Sequence, residues 1–300
     1  MKWRILVALT ATVVLAGAAL GYVWFTRPAT ATASALSLAG PGLLVRTTDG
    51  VLAVIGPDGK KRTSDLRCAR VYAAHGTGVC LREGVGSYQV TVLDADLKTV
   101  RDLPLNGLPN RARVSGSGRM VSWTTFVTGD SYNGGQFATR SGILDAKDGT
   151  LAGNLENFTV QEGRPNQDAN FWGVTFAADD NRFYATMSTG GHRYLMQGDF
   201  AARSMREVKD NVECPSLSPD GTRVAYKKML PDRTWRLTVL DLATLAETPL
   251  AETRSVDDQA AWLDGSTIGY GVDKGVWAVP ADGTGAPRLV AADAESPAAL

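Results

Sequence analysis

The chain is poor in the residues that usually announce a chemistry. Only two histidines, His75 and His192, and three cysteines, Cys68, Cys80 and Cys214, occur in 300 residues. There is no Cys-x-x-Cys pair, no Gly-x-Ser-x-Gly elbow, no Walker loop and no His-Glu-x-x-His helix. Zinc ribbons, dithiol redox centres, α/β-hydrolases, P-loop enzymes and zincins are therefore poor expectations. An excess of charge is missing too, because 31 basic residues face 31 acidic ones. Without the first 34 residues, which carry Lys2, Arg4 and Arg27 and no acid, the balance turns slightly acidic. No basic field draws the chain to nucleic acid, and no nucleic-acid partner or cofactor is expected. Proportions of 44% hydrophobic and 21% charged residues exclude disorder and fibrous repetition.

Long apolar runs are absent with one exception. Met1-Lys2-Trp3-Arg4 is a basic start, and the residues from Ile5 to Phe25 carry no charge. As a helix that run would span about 31 Å, close to a bilayer's hydrocarbon thickness. It ends in the interfacial aromatics Tyr22, Trp24 and Phe25, followed by Arg27-Pro28. The run is longer than an ordinary signal-peptide core, so residues 1–25 read as a signal anchor, with cleavage in the small residues from Ala29 to Ala35 as the alternative. Lys2 and Arg4 favour a cytoplasmic N-terminus. The rest of the chain is then expected outside the cytoplasm, as a single-pass membrane protein or, after cleavage, secreted or periplasmic. Residues 26–37, rich in Ala, Thr and Ser, read as a flexible tether. In such an oxidising compartment a disulfide between Cys68 and Cys80 is open. Pairing about the turn His75-Gly76-Thr77-Gly78 would, however, set Cys80 opposite Val71 rather than Cys68.

What the sequence does contain is a repeat. Cys214-Pro215-Ser216-Leu217-Ser218-Pro219-Asp220-Gly221-Thr222-Arg223-Val224-Ala225-Tyr226 reads as a strand, a tight turn and a second strand. Trp235 to Asp241 gives a third strand ending in an acidic turn, and Thr248-Pro249-Leu250 a fourth. The same hairpin returns at Val114–Trp123, Thr175–Tyr184, Ala261–Tyr270 and Val71–Leu81. The aspartate closing the third strand returns at Asp94, Asp145, Asp199 and Asp241, and more loosely at Asp58 and Asp282. Six such turns imply six units. Successive hairpin turns lie roughly 40–45 residues apart, the period of a four-stranded propeller blade. One wider gap places extra loop residues in 128–142 and 156–170. Residues 38–300 thus predict an all-β, six-bladed β-propeller of four-stranded blades, rather than a pair of β-sandwiches. The innermost strand of the first blade is expected either from the C-terminal stretch after Glu295 or from Ala35–Leu38.

Leu217-Ser218-Pro219-Asp220-Gly221-Thr222-Arg223-Val224-Ala225-Tyr226 resembles the repeat of TolB-like β-propellers, the WD-repeat-like blades of bacterial envelope proteins. The likeness is specific in that blade, moderate around Gly118, Asp180 and Gly265, and spans about residues 38–300. It implies a six-bladed ring, usually non-catalytic, that offers a binding face at one mouth of its central channel. The extra N-terminal domain of the family's namesake is not expected here.

In a propeller, the connections into the inner strands surround one mouth of the channel. That rule groups Arg70, Arg111, Arg113, Asn170, Trp172, Glu213, Asp257 and Asp258 on one face, a mixed-charge rim with an aromatic. Trp123, Trp235, Trp262 and Trp277 are expected to pack between blades. His75 and His192 read as solvated turn residues. Asp94-x-Asp96 and Asp179-Asp180-Asn181 read as turn caps, since neither supplies a calcium loop's full ligand series. The expected function is a non-enzymatic, extracytoplasmic binding module for an envelope protein, held to the membrane by its N-terminal helix. A small-ligand or glycan binder is the alternative. A metal-dependent hydrolase of the lactonase type is disfavoured, because clustered Glu, Asn and Asp ligands are lacking.

Overall fold

Turn chemistry and strand alternation build a ring of six antiparallel sheets. The computed structural model describes residues 36–127, 138–161 and 168–300. The expected membrane segment 1–25 and most of the expected tether lie outside these residues. Among the described residues no helix is long and apolar enough to cross a membrane. Blade 1 combines the C-terminal strand Ala294–Ala299 with Leu43–Thr47, Val51–Ile55 and Lys61–Arg67. Blade 2 runs from Arg70 to Leu105, blade 3 from Leu108 to Ala152, and blade 4 is centred on Asn170–Phe176 and the three strands that follow. Blade 5 runs from Glu213 to Pro249 and blade 6 from Ala261 to Ala292.

The C-terminus closes the ring. Ala299 pairs with Leu43 and Ala294 with Thr47, so the last strand is the innermost one of blade 1. The other candidate, Ala35–Leu38, does not take that place. Leu38 instead buries its side chain between blades 1 and 2, and its N–H donates to Ala95 O at 2.8 Å. Ring closure thus joins the first and last strands of the propeller in one sheet.

All five repeated hairpins of the sequence fall between first and second strands, and the six acidic turns fall between third and fourth strands. The aspartates act on their own backbone. Asp94 accepts from the N–H groups of Asp96 and Lys98, and Asp179 from those of Asn181 and Arg182. Blade 4 departs from four strands. Thr159–Val160 adds a short fifth strand, parallel to the outer strand Ser204–Asp210. Its residues come from the wider gap that the repeat left as loop.

The apolar core is divided among the seams between neighbouring blades. One buried cluster occupies each of the six seams, as inward-facing strand residues meet the next sheet. The seam between blades 3 and 4 is built from Phe158, Phe171, Phe176, Phe183, Met187 and Met196. The closing seam between blades 6 and 1 is built from small residues, Val45, Ala53, Val276, Ala291 and Ala294. A buried Phe contributes about 2–3 kcal/mol and an alanine far less, so the seam that closes the ring is the least strongly held. Cys68 joins Cys80 across the seam between blades 1 and 2 in a disulfide, with their Cα atoms 5.3 Å apart. Cys80 is opposite Val71 in the hairpin register, and Cys68 reaches it from the connection that precedes the strand.

Candidate functional site

The inner strands all run in the same direction, so their beginnings surround one mouth of the channel and their ends surround the other. At the beginnings lies a cavity of about 650 Å³. Its lining includes Arg70, Arg111, Asn170, Trp172, Glu213 and Asp257, six of the eight residues that the sequence groups together. Asp258 lies just below, where it accepts from Arg70 Nη1 at 3.3 Å. Arg113 is the correction. It sits two residues further along its strand than Arg111, roughly 6–7 Å deeper at the ordinary strand rise. There it lines the opposite cavity, together with Tyr72, Phe176 and Trp262.

At the first mouth the charges are arranged as linked pairs. Glu213, 3% exposed, accepts from the Trp235 indole Nε1 at 3.0 Å and has Arg193 Nε at 3.0 Å. Lys227, 4% exposed, bonds to Asp257, stands 3.9 Å from Glu213 and lies over the Trp235 ring at 4.2 Å from its centre. Arg111 Nη2 reaches across the ring to within 3.5 Å of Asp257. Burial alone would raise the Asp257 carboxyl, but Lys227, Arg111 and Arg70 hold it below the ordinary carboxylate value. Burial likewise opposes the Arg111 charge, yet Cys214, Asp258 and Asp257 push its pKa above that of a free arginine.

Three members of this network escape the sequence rule. Lys227 belongs to the second strand of blade 5, Trp235 begins its third strand, and Arg193 lies in the third strand of blade 4. The rule counts only connections into inner strands. The one signal available was Lys227-Lys228 within the otherwise apolar strand Val224-Ala225-Tyr226. Trp235, expected between blades, instead lines the cavity. Asn170 turns out to be a staple, since its Oδ1 accepts from Thr139 N at 2.8 Å and ties blade 4 to blade 3. Trp172 is half-buried on the cavity wall and presents the aromatic surface of the rim.

Midway along the channel the two mouths are separated. Gln259 Nε2 donates to Val174 O at 3.1 Å and Pro215 O at 2.8 Å, joining blade 6 to blades 4 and 5. Arg113 Nη2 donates to Ala260 O at 3.0 Å, joining blade 3 to blade 6 across the ring. A small cavity of about 20 Å³ lies beside these bridges, lined by Arg113 and Gln259 among others. Among the described residues, no group of three or more His, Cys, Asp or Glu side chains is arranged to hold a metal ion.

Comparison with solved structures places the ring among six-bladed propellers of the TolB-like fold. TolB from Acinetobacter baumannii superposes with a TM-score of 0.61 at 15% identity, covering 86% of this chain and 66% of that one. The putative TolB from Agrobacterium tumefaciens gives a TM-score of 0.54 at 10% identity, covering 83% and 88%. A puromycin-hydrolyzing peptidase from Mycobacterium tuberculosis gives 0.52 at 13% identity, covering 82% of this chain but 42% of the peptidase. No protein-family model matches the sequence, and no curated protein does. The chain thus spans about two thirds of the first of these neighbours, and at such identities the likeness is one of fold.

Proposed function

We propose that the propeller is a non-catalytic, extracytoplasmic protein-binding module of the cell envelope, with its partner docking on the mouth lined by Trp172, Arg111, Arg193 and Glu213. The observation that carries this reading is the pairing of charge around that cavity. Glu213 and Asp257 are each engaged by cations, and Asp168 accepts from the Thr189 hydroxyl and the Gly190 N–H, which fixes a rigid, mixed-charge, aromatic-edged surface. Rigid anchors of Trp and Arg type dominate protein interfaces. The TolB-like fold and the signal-anchor pattern of residues 1–25 support an envelope setting.

Cross-linking in intact cells, followed by capture of the tagged full chain and mass spectrometry, tests the reading. One discrete envelope protein is expected with the wild type. Trp172→Ala, whose folding is verified by its unfolding transition, should reduce that capture about tenfold or more. A partner retained undiminished by this variant would place the docking surface elsewhere. Failure to capture any reproducible partner would overturn the protein-binding reading itself.

A further inference from the structure

The second cavity, at the ends of the inner strands, contains about 1010 Å³ and a charge that the rest of the molecule leaves unmatched. Arg113 is 4% exposed on the floor of this cavity. Of its five N–H donors, one serves Ala260 O. Its Nε is buried with no hydrogen-bond partner. Among the described residues no carboxylate forms an ion pair with it. The Tyr72 ring, with its centre 4.3 Å from the guanidinium carbon, offsets part of the cost of burying the charge. It supplies no counter-charge, and arginine does not shed its proton.

The Asp and Arg side chains that share the lining of this cavity already have partners. Asp220 accepts from Ser218 and Thr222, Asp264 accepts from Ser266, and Arg182 stands 3.6 Å from Asp179. Around Arg113 the walls are apolar and aromatic, formed by Tyr72, Phe176, Leu217, Trp262 and Leu300. We infer that this cavity binds a carboxylate attached to an apolar or aromatic group, with Arg113 as the anchor. With one Nη2 N–H given to Ala260 O, the guanidinium keeps one free bidentate edge, which matches the two oxygens of a carboxylate. A doubly charged phosphate would call for a second buried cation, and the other arginine on the lining, Arg182, is half exposed and stands 3.6 Å from Asp179. The site is separate from the proposed protein-docking mouth, so failure of either leaves the other standing.

Titration calorimetry on the purified full chain, with Trp fluorescence as a second readout, tests the inference. The probes are 3-phenylpropionate and an N-acetylated tripeptide ending in phenylalanine, each compared with its carboxamide. At least one acid should bind saturably, and its amide about 50-fold more weakly. Binding of 3-phenylpropionate identifies small free acids as ligands. Binding of the peptide acid alone identifies chain termini. Arg113→Met should abolish binding of the acid, whereas Arg113→Lys should retain a fraction of it. If the Met variant does not fold, protection of Arg113 in the wild type from phenylglyoxal by the bound acid decides the matter. Equal binding of acid and amide, binding unchanged by Arg113→Met, absence of protection, or binding of neither acid would each overturn the inference.

Discussion

The two mouths of the same channel treat buried charge in opposite ways. At one, buried Glu213 and exposed Asp257 each serve two or more partners, so that the buried charges of Glu213 and Lys227 are matched. At the other, Arg113 has an aromatic face and one carbonyl and no carboxylate. Paired charges hold a surface in shape. An unpaired one, kept where water is scarce, is suited to anchor a ligand. Folding stability should therefore be sensitive to substitution at the first mouth and nearly indifferent at the second.

The largest expected effect is at Glu213. Glu213→Gln removes the carboxylate facing Arg193 and one of the two facing Lys227, and should cost about 3 kcal/mol in urea-unfolding free energy. A loss below about 1 kcal/mol would mean that the network is slack and the two mouths alike. Gly173, next to Trp172 in the inner strand of blade 4, has φ of +67°, and a Cβ at that position would lie 2.8 Å from the Cα of Cys214. Gly173→Ala should thus cost about 2 kcal/mol, from left-handed backbone and contact with a neighbouring strand together. The acid limb of stability comes next. Asp257 is depressed in the folded state, so its contribution is fully present above the unfolded carboxylate value of 3.8 and is lost as pH falls below it. Asp257→Asn should flatten that limb by about 1 kcal/mol, measured as urea midpoints between neutral pH and the acid transition. The smallest effect belongs to the second mouth. Arg113→Met leaves no carboxylate behind, only the Ala260 carbonyl without its donor, and should cost about 1 kcal/mol. A large loss there would show that Arg113 holds the ring together rather than waiting for a ligand.

The ring itself was legible in the sequence, because turns obey local rules. Asp-Gly and Pro-Asp-Gly fix hairpins wherever they fall, and their spacing gives the number of blades. The closing strand was left open, since Glu295–Leu300 resembles the inner-strand start Glu213–Leu217 but Ala35–Leu38 competes for the same place, and the register of pairing with Leu43–Thr47 chooses the former. Most of the first mouth followed from topology, which brings the beginnings of the inner strands together whatever their side chains. Depth did not follow. Arg111 and Arg113 differ by two positions on one strand, point to the same side, and belong to different cavities because a central bridge divides the channel. Lys227, Trp235 and Arg193 were missed for a related reason, as they reach the mouth from second and third strands by the length of their side chains.

Placement of a photo-reactive phenylalanine analogue at one mouth or the other, in living cells, would test the central claim most directly. The analogue at Trp172 should yield a single cross-linked envelope protein, which the same analogue at Pro219, beside the second cavity, should not capture. A discrete protein adduct at Pro219 with none at Trp172 would contradict the assignment of the docking surface to the mouth of paired charges.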